Sequence, residues 1–153
     1  MARVNIGISP KYLSDQHLIA ESVEITMITG GLRKNGYKIK SPIPEKFGLG
    51  TGHINFFKNK IKYLNVRLKE VNNELDRRDI RNSTKIILEE FPSDLVNEWK
   101  PTKESSKILR ERVSERLLAP LKAKPGFHKY YKRPIKDMEE FSQKLLNSEL
   151  YYV

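Results

Sequence analysis

Ala2 follows Met1 directly, and so small a residue lets the initiator Met be clipped, which exposes an α-amine at the start of the chain. An α-amine has a reference pKa of about 8, against about 10.4 for Lys, so a useful fraction is neutral at physiological pH. It is a ready nucleophile. Attack on C1′ of a deoxyribose displaces a base and leaves an imine, and loss of the 2′ proton then expels the 3′ phosphate by β-elimination. Covalent catalysis by an amine also needs a general acid or base and a charge stabiliser close by. Glu24 is the candidate for both. On a helix His17, Glu21 and Glu24 project to one side at spacings of four and three, while Ala20, Glu24 and Met27 share an overlapping side. Spacing alone reads equally well as ordinary surface carboxylates beside a packed histidine.

These groups need elements to hold them. Ser14 or Asp15 is an N-cap, and few breakers follow until Gly30-Gly31, which predicts a first helix over about 15–29. Ahead of it, residues 2–9 alternate loosely, with Val4, Ile6 and Ile8 on one side and Arg3, Asn5 and Gly7 on the other, which suits an extended arm. Residues 33–50 hold three Gly and two Pro among many Lys and form a basic loop. Ile54, Phe57, Ile61, Leu64, Leu68, Val71 and Leu75 then lay one apolar stripe along a second helix. Lys58, Lys60, Lys62, Arg67 and Lys69 fall off that stripe, as a solvated face would.

Residues 76–102 are mixed, with turn-like punctuation. A third helix is expected over about 103–119, with Ile108, Leu109, Val113 and Leu117 facing inward and Arg110, Arg112 and Arg116 elsewhere on its surface. Pro120 and Pro125-Gly126 end it. After an aromatic and basic cluster over residues 127–133, Ile135, Met138, Phe141 and Leu145 predict a short amphipathic helix. The expected fold class is all-α: a compact single domain of three main helices with an extended N-terminal arm, long loops and an added C-terminal helix. The expected division is residues 1–133 for the chemistry-bearing domain and 134–153 for the helical extension.

Composition narrows the partners. Of 153 residues, 29 are Lys or Arg and 19 are Asp or Glu, so the net charge is +10 and the pI about 9.7. Such a charge favours a polyanion through phosphate neutralisation and counterion release, with nucleic acid as the expected partner, which the family resemblance given below narrows to double-stranded DNA. A mean hydropathy of −0.61 and the lack of a long apolar run argue against a membrane. With no Cys there is no disulfide framework or thiolate metal site, and no secretory h-region opens the chain. A cytoplasmic monomer with no metal and no cofactor is the expectation.

Three runs together carry a family resemblance. Ser14-Asp15-Gln16-His17-Leu18-Ile19-Ala20-Glu21, then Leu49-Gly50-Thr51-Gly52-His53-Ile54-Asn55-Phe56-Phe57, then Lys129-Tyr130-Tyr131 fall in the order seen in the phage pyrimidine-dimer DNA glycosylases, the endonuclease V type of the T-even phages. The chain resembles that family over about residues 2–133. The resemblance implies an all-α domain in which the amine of residue 2 is the nucleophile and a first-helix Glu the essential acidic residue. These fall on Ala2 and Glu24. The family usually has Thr at position 2, but the chemistry uses the main-chain nitrogen, which Ala2 also supplies. The resemblance puts Arg3 near DNA phosphate, His17 close to Glu24 and Arg116 on the DNA-facing side of the third helix. Gln16, Arg33, Lys34 and Lys129 complete the expected DNA contacts.

One departure bears on the substrate. Family members carry arginines immediately before the catalytic Glu and three residues after it, and here those positions are Val23 and Met27. Two cations lost from a lesion-binding face forgo charge-assisted hydrogen bonds of about 1.5 to 3 kcal/mol each. Either Ala20, Val23 and Met27 form an apolar substrate pocket for a different base or adduct, or both departing residues are core. The expected function is a DNA glycosylase with AP-lyase activity on a damaged or modified base, a pyrimidine dimer or a related pyrimidine, reached by base flipping. The alternative is a non-catalytic basic DNA-binding protein derived from the same family.

Overall fold

The computed structural model describes residues 3–119 and 126–153, and within them the fold is mostly helical. Helix α1 (Asp15–Lys34) begins where the Ser14 hydroxyl accepts the backbone N–H of His17, as expected of an N-cap. Its end differs from the expectation, because Gly30-Gly31 do not stop it. Leu32 is buried and holds the last turn down, which outweighs the cost of about 1 kcal/mol per helical Gly. The stop comes at Asn35-Gly36. Gly36 adopts φ +65, and the N–H of Tyr37 donates to the Leu32 carbonyl at 2.7 Å, closing the helix with a left-handed residue just past it.

The long stripe read as one helix is two: α2 (Thr51–Phe57) and α3 (Ile61–Arg77). Lys60 folds back to donate to the Phe56 carbonyl at 2.9 Å and sits over the Phe56 ring, so its ammonium takes an acceptor at the end of α2. The break changes which residues face inward. Phe56 and Phe57 both enter the core, against Phe47, Tyr63 and Trp99, while Ile54 is left partly exposed. Arg67, expected on the solvated face, is wholly buried on the side of α3 that packs against α1. Its guanidinium grips the Glu21 carboxylate at 2.7 and 3.1 Å and also donates to the carbonyls of Ile8 and Val153. The stripe rule counts apolar residues and cannot see an arginine whose charge is neutralised inside the packing.

Helix α4 (Lys103–Leu118) starts with a capping box between Thr102 and Ser105, and Leu109, Val113 and Leu117 are buried as expected. Two of its residues trade places with the prediction. Ile108 faces out, and Arg110 is buried because five carbonyls accept from it: Leu145, Leu146, Ser148, Glu149 and Gly7. Four of those lie at the end of α5 (Met138–Asn147) and just beyond, so one side chain caps that helix and ties it to the arm. Between α4 and α5 a small hairpin pairs β1 (Lys129–Tyr130) with β2 (Arg133–Pro134). Its turn residues Tyr131 and Lys132 both have positive φ, an unfavourable state for such side chains, and the Asp15 carboxylate accepts from both of their N–H groups. The rings of Tyr130 and Tyr131 lie over the buried Arg78 guanidinium, itself paired with Asp15 and Glu74.

The arm before α1 has no strand partner among the described residues, yet it is core rather than appendage. Val4, Ile6 and Ile8 are fully buried, and the chain turns at Gly7, where φ is +75 and an added Cβ would collide with the Ser106 side chain.

Candidate active site

Glu24 lies on α1, and the residue as a whole is only 6 % exposed. Burial raises its pKa above the usual carboxylate range, and the positive charge of Arg3 pulls the other way. Arg3 is in turn held below the ordinary guanidinium range by burial, then by the like charges of Arg112 and Arg116 on α4. The Glu24 carboxyl thus lies in the field of the Arg3 guanidinium, which in turn feels those of Arg112 and Arg116 on α4. Desolvation favours the protonated carboxyl, while the Arg3 charge favours the ionised one.

The arm is fixed in place by a histidine from the second motif. His53 is buried, its Nε2 accepts the Val4 N–H at 2.9 Å, and its Nδ1 lies 3.2 Å from the Gly48 carbonyl. Those two partners set the tautomer: Nδ1–H donates to Gly48 and Nε2 accepts from Val4. Burial keeps the ring neutral, with a pKa of about 4. From the other side, Asn5 donates to Glu21 at 3.0 Å, and Glu21 is locked by Arg67. Glu21 is therefore a structural carboxylate, about one turn before Glu24.

Beside this cluster is a cavity of about 340 Å³ between α1, α4 and the approach to the hairpin. Arg3, Arg112 and Arg116 line it together with Ala20, His17 and Phe127. Phe127 is 56 % exposed, a large aromatic face at the mouth of a cationic pocket. His17 and His128 stack with ring centroids 5.1 Å apart, and both Nδ1 atoms approach the Ser14 hydroxyl, at 3.1 and 3.3 Å. Burial and the His128 neighbour lower the His17 pKa to about 4, and burial lowers that of His128, whose ring bonds the Arg116 carbonyl. The pair is a neutral floor under the pocket.

The remaining expected residues scatter. Gln16 touches the same cavity, but its amide oxygen accepts the Lys129 N–H at 2.7 Å, so it fastens the hairpin to α1, while the Lys129 side chain is exposed. Arg33 pairs with Glu90 at 2.8 Å at the far end of α1, and Lys34 beside it is exposed. Val23 and Met27 are 47 and 62 % exposed, which removes the reading that places them in the core. Ala2 lies outside the described residues. Sequence reasoning missed Asn5, His53, Arg112 and His128. His53 stood inside a quoted motif, and its signal was a lone His on an otherwise apolar face.

Among the described residues no group of three or more His, Asp or Glu is arranged to hold a metal ion, and no helix is long and apolar enough to cross a membrane. Residues 1–88, more than half of the chain, match the family described as pyrimidine dimer DNA glycosylase. The matched span contains the arm, the whole of α1 and the His53 anchor.

Proposed function

The chain belongs to the pyrimidine dimer DNA glycosylase family, and on that premise we propose that it is a glycosylase with AP-lyase activity whose nucleophile is the Ala2 amine and whose proton carrier is Glu24. The observation that carries this reading is the buried Glu24 residue with its carboxyl in the field of Arg3, on an arm pinned at Val4 by His53. Two residues of extended chain span about 7 Å, so the anchor keeps a preceding amine on a short tether.

The neutral amine forms a bond to C1′ as the bond from C1′ to the pyrimidine N1 breaks and the base leaves with the electron pair, to be protonated. Loss of the amine proton and opening of the C1′ to O4′ bond, with O4′ taking a proton, leave the imine. Glu24, its pKa raised by burial, serves as the acid when O4′ is protonated and as the base when the 2′ proton is removed. Removal of that proton expels the 3′ phosphate, whose negative charge Arg3, Arg112 and Arg116 stabilise. The cavity lined by Phe127, His17 and the guanidinium groups takes a nucleotide turned out of the stack, the step that gives the amine access to C1′.

Intact mass of the purified protein identifies the terminal amine. Borohydride reduction with a duplex carrying an abasic site then traps the imine as a covalent adduct. The expected result is an adduct with the processed chain, its loss on N-terminal extension, and a fall of about 10²-fold or more in adduct formation with Glu24→Gln. A processed wild-type chain that forms no adduct refutes the proposal, and DNA binding untouched by Glu24→Gln in that case identifies a binding protein.

A further inference from the structure

Helix α1 carries a surface feature that the excision chemistry does not use. Ile19, Val23 and Met27 are 43, 47 and 62 % exposed, and their spacing of four stands them in one row along the helix. The core face of α1, with Leu18, Ile25, Ile28 and Leu32, lies on the opposite side of the axis, so the row is no overflow of the core. At about 100° per residue, Met27 sits about 60° around the helix from Glu24 and almost one turn further on, with Ala20 between the row and the carboxyl. Gly30 continues the row, with nothing within 4 Å of where a Cβ would stand, and exposed Lys34 ends it.

Single apolar residues on a surface are ordinary, but a continuous exposed row beside a reactive carboxyl marks a contact surface. Its surroundings say what it meets. The chain carries a net charge of +10, and Arg3, Arg112 and Arg116 lie around the cavity that adjoins Ala20. Apolar side chains rimmed by cations are the equipment of proteins that kink a duplex, in which basic groups hold the phosphates while an apolar wedge enters and unstacks a base step. The side-chain-free Gly30 lets a strand pass close to the helix, and Lys34 beyond it is placed to take a phosphate.

We propose that Val23 and Met27 form an apolar wedge that enters the unstacked base step beside the lesion in kinked duplex DNA, so that the protein reads weakened stacking rather than charge. Ile19 backs the wedge. The proposal rests on the preceding reading only in that Glu24 faces the duplex.

The test compares wild type with Met27→Ala, Met27→Lys and Val23→Ser on two duplexes, one with a cyclobutane pyrimidine dimer and one intact, each with 2-aminopurine beside the site. Both positions are solvent-facing, and thermal unfolding confirms that each variant folds. The wild type is expected to prefer the dimer duplex and to raise the 2-aminopurine emission on binding. Met27→Ala and Met27→Lys are expected to lower that preference by about tenfold or more and to abolish the emission change, with Val23→Ser intermediate. Met27→Lys separates the alternatives. A residue that merely faces phosphate would, as Lys, tighten both duplexes and steepen the salt dependence by about one. That outcome, or an unchanged preference in all three variants, overturns the wedge. So does a wild-type dimer in sedimentation that Met27→Lys converts to monomer, which would assign the row to a second copy of the chain. Cleavage of abasic-site duplex by the wild type is read separately. If it is absent while the binding preference still depends on Met27, the chemistry proposed for Glu24 falls and the wedge stands.

Discussion

Acidification should loosen this fold through its histidines, and His53 allows the size of the effect to be worked out. Burial holds the folded pKa of both His53 and His17 at about 4, against an ordinary histidine value of 6.5. A folded value below the unfolded one means that the native state favours the neutral ring. The resulting stability is complete above 6.5 and is lost as the pH falls through about 4. Between about pH 7 and about pH 5 each ring costs about 2 kcal/mol, so the two together remove about 4 kcal/mol, with His128 acting in the same direction. Protonation also turns the His53 Nε2 from acceptor to donor, opposite the Val4 N–H, so the arm loses its anchor first. His53→Leu removes one ring from the titration. At about pH 7 the variant is less stable by about 1 to 3 kcal/mol, since the buried Val4 N–H is left without its acceptor. Its further loss on acidification should be smaller than that of wild type by about 2 kcal/mol. Urea unfolding followed by far-ultraviolet circular dichroism at the two pH values measures both quantities, and titration of surface carboxylates cancels in the comparison. A His53→Leu protein that retains the full wild-type pH dependence refutes the reasoning.

Three further outcomes follow from the packing and the charge cluster. Arg67→Met strands the buried Glu21 carboxylate and should cost about 3 to 5 kcal/mol, whereas adding Glu21→Leu should recover much of that loss, as chemical denaturation of the two proteins would show. Gly7→Ala places a Cβ against Ser106 at a positive φ and should destabilise by about 2 kcal/mol or more, read as a lowered thermal midpoint. Arg116→Ala should weaken binding to all duplexes and reduce the slope of log K against log salt by about one, and an unchanged slope would place Arg116 away from phosphate.

Much of the scaffold was legible because local rules carry it. The Ser14 cap and the 3.6-residue periodicity of α3 act over a few residues, where sterics and a single hydrogen bond decide. Family membership was readable for a similar reason, since it rests on short runs in a given order. The errors fall where a long-range partner overrides a local preference. Gly30-Gly31 read as a stop until Leu32 found the core, and the stripe through Ile54 and Phe57 read as one helix until Phe56, Phe57 and Trp99 packed together.

The site divides along the same line. Glu24, His17, Arg3 and Arg116 are named by type, spacing and resemblance. That Glu21 is a buried structural partner while Glu24 lies in the field of Arg3 depends on Arg67, 46 residues on from Glu21, and on an arm held by His53. Two carboxylates on one side of one helix look alike in sequence because both have the same intrinsic pKa and the same helical spacing. By itself the sequence determined the helix that carries them, the charge that draws DNA and the family to which they belong. The tertiary structure alone decided which carboxylate is neutralised by a buried ion pair and which lies beside Arg3 with its pKa raised by burial. Desolvation and Coulomb energy depend on distances between residues far apart in the chain, and only the folded packing sets those distances.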